Sequence, residues 1–285
     1  MDTEFRHLEI SGDGMPETAG TRTELRSTES ISNASLDSLP AELKASILYS
    51  APNIVTLKTL VRSSPLYHEA YLDERKSILS TVLLRDIGPQ VLSDALAVHE
   101  ASQIGIEGTG SRKDRVKAFL SQYKAERGSS SPATCDSLDI ETLESLSRLQ
   151  SVFTTITSDF CQTTLSVNPV NGERIQPGGE LSVNEKRRIY RAFYRFELFR
   201  ALFARSYYLV APEDSWYFDT MDQSFLFLSI FNAWEVEELA CVHDYIFRRH
   251  SEFLQESSSE LSKLHPKKYF HSGRCFFCLS ILPVA

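Results

Sequence analysis

From Leu39 onward, apolar residues recur every three or four positions along the chain. Leu39, Leu43, Ile47 and Leu48 form the first stripe, with Pro40 at a first helical position, where its missing N–H is no loss. Pro52-Asn53 ends that helix. Ile54, Leu57, Leu60 and Val61 repeat the stripe, and Ser64-Pro65 reads as an N-cap and first-turn proline opening a third helix. That helix or its continuation carries Tyr67, Tyr71, Ile78, Val82 and Leu83. Gly88-Pro89 stops it, because glycine tolerates the left-handed conformation and proline cannot extend the hydrogen-bond ladder. A short helix from Val91 to about Ala101 follows, and Val116, Phe119, Leu120 and Tyr123 predict another.

Gly128-Ser129-Ser130-Ser131-Pro132 then reads as a linker, with a domain boundary near residue 130. Leu143, Leu146, Leu149, Phe153, Ile156 and Phe160 predict one long amphipathic helix. Asn168-Pro169, Asn171-Gly172 and Gly178-Gly179 make the next stretch a turn-rich loop. Ser182-Val183-Asn184-Glu185 is a capping-box sequence, predicting a helix to about Tyr208 whose aromatic residues cover most of its circumference. Asn232-Ala233-Trp234-Glu235 is a second capping box, opening a helix through Leu239, Val242, Tyr245 and Ile246. No period-two alternation predicts a sheet. The expected fold is all-α, an N-terminal three-helix module followed by a helical domain. Its segments are a disordered tail at 1–35, the module at 36–100, a helix and linker at 101–137, a second all-α domain at 138–256 and a poorly ordered end at 257–285.

Composition narrows the function. The 285 residues carry 30 Lys and Arg against 38 Asp and Glu, a net charge of −8 that disfavours a phosphate-backbone binder, so nucleic acid is not the expected partner. With 42% hydrophobic residues, 17 Phe and 11 Tyr the chain has what a packed core requires. Five cysteines without a secretory signal sequence predict reduced thiols, hence cytoplasm or nucleus. Cys275 to Ala285, a weakly charged run, is shorter than the ~20 residues a spanning helix needs, so no membrane partner is expected.

Candidate chemistry is sparse. Gly105, Gly108 and Gly110 lead into Ser111-Arg112, where a phosphate-binding loop requires Lys and then Ser or Thr. His68-Glu69 and His99-Glu100 lack the second His of a helical zinc site. Cys135, Cys161 and Cys241 read as buried thiols. Cys275 and Cys278, with His265 and His271 upstream, could ligate zinc, but their spacing fits no strong zinc pattern. The expectation is therefore no catalytic residues, no cofactor and no metal. Arg187, Arg191 and Arg195 share one helical face, with Arg188 beside them. They could grip an acidic target; alternatively they form a solvated stripe paired with Glu235, Glu237 and Glu238, the reading an acidic chain favours.

The run Leu39-Pro40-Ala41-Glu42-Leu43, then Ile47-Leu48, then Leu57-Lys58-Thr59-Leu60-Val61-Arg62-Ser63-Ser64, resembles the F-box motif. The resemblance covers residues 36 to 80. It implies a compact three-helix module whose Leu39, Pro40, Leu43, Ile47, Leu48, Leu57, Leu60 and Val61 dock on the Skp-type adaptor of a cullin-RING ubiquitin ligase. Where that motif commonly has a basic residue and then Trp, this chain has Pro65, Leu66, Tyr67 and His68. The Arg191 to Phe199 run and Trp234 to Leu239 look like the corresponding parts of a group of fungal F-box-like proteins. What this implies is a substrate receptor without catalytic residues, holding an unknown target protein. The alternative is an interaction or structural protein without a ubiquitin link, in which the same apolar residues are core.

Overall fold

The amphipathic stripes become ten α-helices among the described residues of the computed structural model, which are 38–104, 111–127, 134–135, 137–164, 166–168, 170–174, 181–203 and 218–264, with side chains through 257. No strand occurs among them, and the fold is all-α. The expected tail at 1–35, the glycine-rich loop at 105–110 and the Cys275/Cys278 end lie outside the described residues.

The first three helices are short: α1 (Ala41–Ser50), α2 (Ile54–Ser63) and α3 (Pro65–Asp73). Pro40 is the N-cap of α1 and not its first helical residue. Asn53 caps α2 by accepting the Thr56 amide, and Ser64 caps α3 by accepting the Leu66 amide with Pro65 in the first turn. The helical run then breaks at Glu74 (φ −123°, ψ 26°) before α4 (Arg75–Ile87), with the Tyr49 hydroxyl donating to the Glu74 carboxylate at 2.8 Å. No glycine or proline announces this break.

Helix α4 fastens the corner between α1 and α2. Arg85 donates to the carbonyls of Tyr49 and Ala51, both at 2.7 Å, at the end of α1. The next residue, Asp86, accepts the Ile54 amide at 3.1 Å at the start of α2. A cation thus meets the negative end of one helix and an anion the positive end of the next. Gly88 ends α4 at φ 84°, its N–H donating to the Leu84 carbonyl, and α5 (Pro89–Gln103) follows. A Cβ at Gly88 would collide with the Arg187 guanidinium.

Helix α6 (Arg112–Arg127) precedes α7 (Ile140–Thr164) and α8 (Val183–Phe203). The body is built where α5 lies along α8 and α4 along α7, so helices from both sides of residue 130 share one core. The helices before and after residue 130 therefore belong to one compact unit, which begins at Leu39, where a domain boundary near 130 was expected; the linker residues 128–133 themselves lie outside the described residues. The capping box at Ser182 forms as expected: Ser182 N–H donates to Glu185 at 2.9 Å, and Glu185 N–H donates to the Ser182 hydroxyl at 3.2 Å.

A short α9 (Thr220–Leu226), not anticipated from the sequence, and a single 3-10 turn at Leu228–Ile230 lead into α10 (Ala233–Leu264). Glu235 accepts the Asn232 amide at 3.1 Å, half of the second predicted capping box. Helix α10 continues past 256, so residues 257–264 are helical where a poorly ordered end was expected. Phe153, Phe193, Tyr194, Phe160 and Tyr245 interlock edge to face between α7, α8 and α10, with Phe153 to Tyr194 at 4.7 Å and Phe160 to Tyr245 at 5.2 Å between ring centres. Between α7 and α8, Gly172 at φ 70° closes the turn anticipated at Asn171-Gly172.

Candidate functional site

The eight apolar positions of the F-box-like run do not share one fate. Helix α1 turns Lys44, Ala45 and Leu48 inward, and Leu48 is fully buried. Leu57 on α2 is 2% exposed and belongs to the same core. These two side chains cannot meet a partner in this conformation, which corrects their assignment to an adaptor surface; each contributes roughly 1.5–3 kcal/mol by leaving water. Ile47, Leu60 and Val61 are half-buried and packed against the core from its edge. Leu39 is half-buried, Pro40 is exposed, and Leu43 remains 50% exposed.

The inward set is reinforced by polar contacts. Lys58 on α2 donates to the Ser147 carbonyl of α7 at 3.2 Å. Burial pushes the Lys58 ammonium down, assisted by the nearby Arg62 and Arg148 charges. Arg75 pairs with Glu144, tying α4 to α7. The three helices are therefore fastened to the body through α2 and α4, while Leu43 in the first turn of α1, Val55 on α2 and Leu66 and Leu72 on α3 keep apolar surface outward.

The arginine line on α8 is split in the same way. Arg195 is buried, bonding Asp94 at 3.1 Å and Glu235 at 2.8 Å, with its guanidinium 4.9 Å from the Phe231 ring centre. Arg127 reaches the same Glu235 oxygen at 2.8 Å, and Tyr123 donates to Asp94. Arg195 is thus neither a target-binding group nor part of a solvated stripe: its counter-charges come from Asp94 on α5 and Glu235 on α10. Arg191 lies over Trp234 at 5.3 Å and bonds Glu238 at 3.2 Å; Arg188 bonds Glu238 at 2.9 Å. Arg187 covers Gly88. Glu235 and Glu238 are partners the sequence names, whereas Asp94 is one it does not.

This network shifts its members in the directions pairing requires. For Arg195 desolvation works against the charge, but Asp94, Tyr123 and Glu235 more than offset it and raise the guanidinium further. For Glu235 burial pulls upward, and the Asn232 amide with Arg195 and Arg127 brings the carboxyl below its ordinary value. Tyr123 is pushed well up by burial and by the adjacent Asp94.

Candidate chemistry elsewhere is limited. Cys135 is buried as expected, but Cys161 is only half-buried and Cys241 is exposed, which corrects the reading of all three as core thiols. His99 sits between the Thr142 and Ser145 hydroxyls at 3.3 Å each, a half-buried helical histidine, and His68 is exposed. Among the described residues no group of three His, Cys, Asp or Glu side chains converges as a metal site would require, and no helix is long and apolar enough to cross a membrane.

Comparison with protein-family models, with curated proteins and with solved structures returns no match. The functional reading rests on the residues themselves.

Proposed function

We propose that this chain is a non-enzymatic, F-box-like substrate receptor, acting in cytoplasm or nucleus, whose first helices hold a Skp-type adaptor of a cullin-RING ubiquitin ligase while the helical body holds a target protein. The observation that carries this reading is the exposed apolar start of α1. Leu39, Pro40 and Leu43 keep apolar surface outward on a module whose remaining motif positions are buried or at its edge. An apolar residue at the rim of a small helical module suits helix-in-groove docking. Catalysis would belong to the recruited ligase, and this chain would supply proximity by raising the target's effective concentration.

Calorimetric titration of the full chain with a purified Skp-type adaptor tests the reading. The wild type should bind, and Leu43→Asp should abolish binding while its far-UV circular dichroism is unchanged. Failure of the wild type to bind sinks the proposal.

A second reading has its own support. Leu48 and Leu57 are core, and Arg85 with Asp86 fastens the α1–α2 corner to the body. These features suit an all-α interaction protein in which the first helices are simply part of the fold. It predicts indifference to the adaptor in every variant.

A further inference from the structure

Helices α2 and α7 bring three cations together. The Lys58 ammonium donates to the Ser147 carbonyl at 3.2 Å, which sets it beside Arg148, the next residue of α7. Arg62 stands one turn beyond Lys58 on the same face of α2. Burial lowers the Lys58 ammonium and the Arg62 and Arg148 charges lower it further, with no carboxylate acting the other way among the described residues. The acids that would normally answer these charges are missing or engaged. Glu144, one turn before Arg148, pairs instead with Arg75 of α4. No Asp or Glu stands three or four residues from Arg62 on either side. Both guanidiniums are exposed, and among the described residues neither has an ion-pair or hydrogen-bond partner. The carbonyl end of α2 offsets only part of the Arg62 charge. A chain of net charge −8 thus gathers cations, against their mutual repulsion, where no described group accepts from the arginines.

We propose that this cluster is a binding site for a phosphate monoester or free phosphate, held by the Arg62 and Arg148 guanidiniums with the Lys58 ammonium between them. The balance of charge and donors selects that group. Such a phosphate carries about −1.5 to −2 charge near neutral pH on three acceptor oxygens. A carboxylate offers one charge and two oxygens, which a single guanidinium fork already satisfies, and a phosphodiester also offers one charge. Two forks and a point charge match the dianion. Because both guanidiniums face solvent, the group can arrive without opening the fold, as free phosphate or on a phosphorylated peptide. The site makes no use of Leu43, so it holds or fails separately from adaptor binding.

Two titrations of the full chain, at about 50 mM salt where screening is weak, test this. One uses inorganic phosphate; the other compares a phosphoserine peptide with its unphosphorylated form. The wild type should bind at least one phosphorylated probe, and Arg62→Gln/Arg148→Gln should weaken that binding by about a hundredfold, tenfold or more for each guanidinium. Binding of free phosphate assigns the site to a small anion, and binding of the peptide alone assigns it to a phosphorylated segment; either supports the proposal. Lysine acylation read by mass spectrometry tests the wild type without any substitution. The bound probe should slow labelling of Lys58 severalfold and leave that of the exposed Lys117 on α6 unchanged. A wild type that binds neither probe overturns the proposal. So does binding that the double variant retains, that acetate or the unphosphorylated peptide matches, or that leaves the labelling of Lys58 as it was.

Discussion

Asp86 and Asp94 are both buried and lie on consecutive helices, yet their surroundings differ. Asp94 meets a hydroxyl and a guanidinium; that guanidinium meets Glu235, which meets Arg127, and charges alternate with none left over. Asp86 accepts one amide and has the Lys186 ammonium 3.7 Å from Oδ1, an oxygen with no hydrogen-bond partner. Helix α8 supplies the cation in both places, Arg195 with its rigid fork and Lys186 with a point charge. A complete set of partners makes buried charge a cross-brace joining α5, α6, α8 and α10. An incomplete set leaves an acid that desolvation pushes up, against which the Ile54 amide, Lys186 and the Gln150 side chain pull only part of the way.

The contrast is sharpest when the cations are tested. Arg195→Met strands Asp94 in the core and leaves Glu235 with Arg127 as its one remaining cation, and should cost about 3–5 kcal/mol in urea unfolding, the largest effect of any single change considered. Gly88→Ala should cost about 1–3 kcal/mol, through both its positive φ and the collision with Arg187. In an Arg187→Ala background the collision is gone and only the backbone part of that loss should persist, which a double-mutant cycle measures.

Smaller still, and of opposite character, is Asp86→Asn. It keeps an acceptor for the Ile54 amide and removes a poorly compensated charge, so stability near pH 7 should change by about 1 kcal/mol or less. Its pH profile is the informative part. The raised Asp86 carboxyl contributes stability that is full below the ordinary aspartate range and lost as pH rises through its folded value. Asp86→Asn should therefore gain on the wild type as pH rises from about 4 toward neutrality. Glu235 carries the opposite sign: held low, it contributes stability above the ordinary glutamate range that is lost on acidification. Glu235→Gln should accordingly lose most near neutral pH and approach the wild type in acid. Leu43→Asp closes the series, within about 0.5 kcal/mol of the wild type because its side chain is already half in water.

Much of the helical fold is legible in spacing, and its punctuation in caps: Ser64, Gly88 and the Ser182–Glu185 box do what their chemistry predicts. Inside and outside are less legible. A spacing of three and four puts residues on one face without saying which way that face points, so Leu43 and Leu48 look alike in sequence although one is exposed and the other buried. Helix α8 is harder, because aromatic residues all round it erase the polar contrast that would have marked Arg195 as internal. Its partner Asp94 comes from a distant helix, and no local signal links the two. The break at Glu74 rests on a tertiary contact with Tyr49. Glu235 was anticipated both as a capping residue and as an acid for the α8 arginines, and it does both at once through its two oxygens.

Hydrogen–deuterium exchange of the full chain with and without a Skp-type adaptor tests most directly the claim that residues 39–61 divide into an outward part for a partner and an inward part for the body. The account predicts protection gained at the start of α1, around Leu43, with the exchange of α2 and α4 unchanged. Exchange that is identical with and without the adaptor, or protection that appears only as α2 and α4 open, would contradict it.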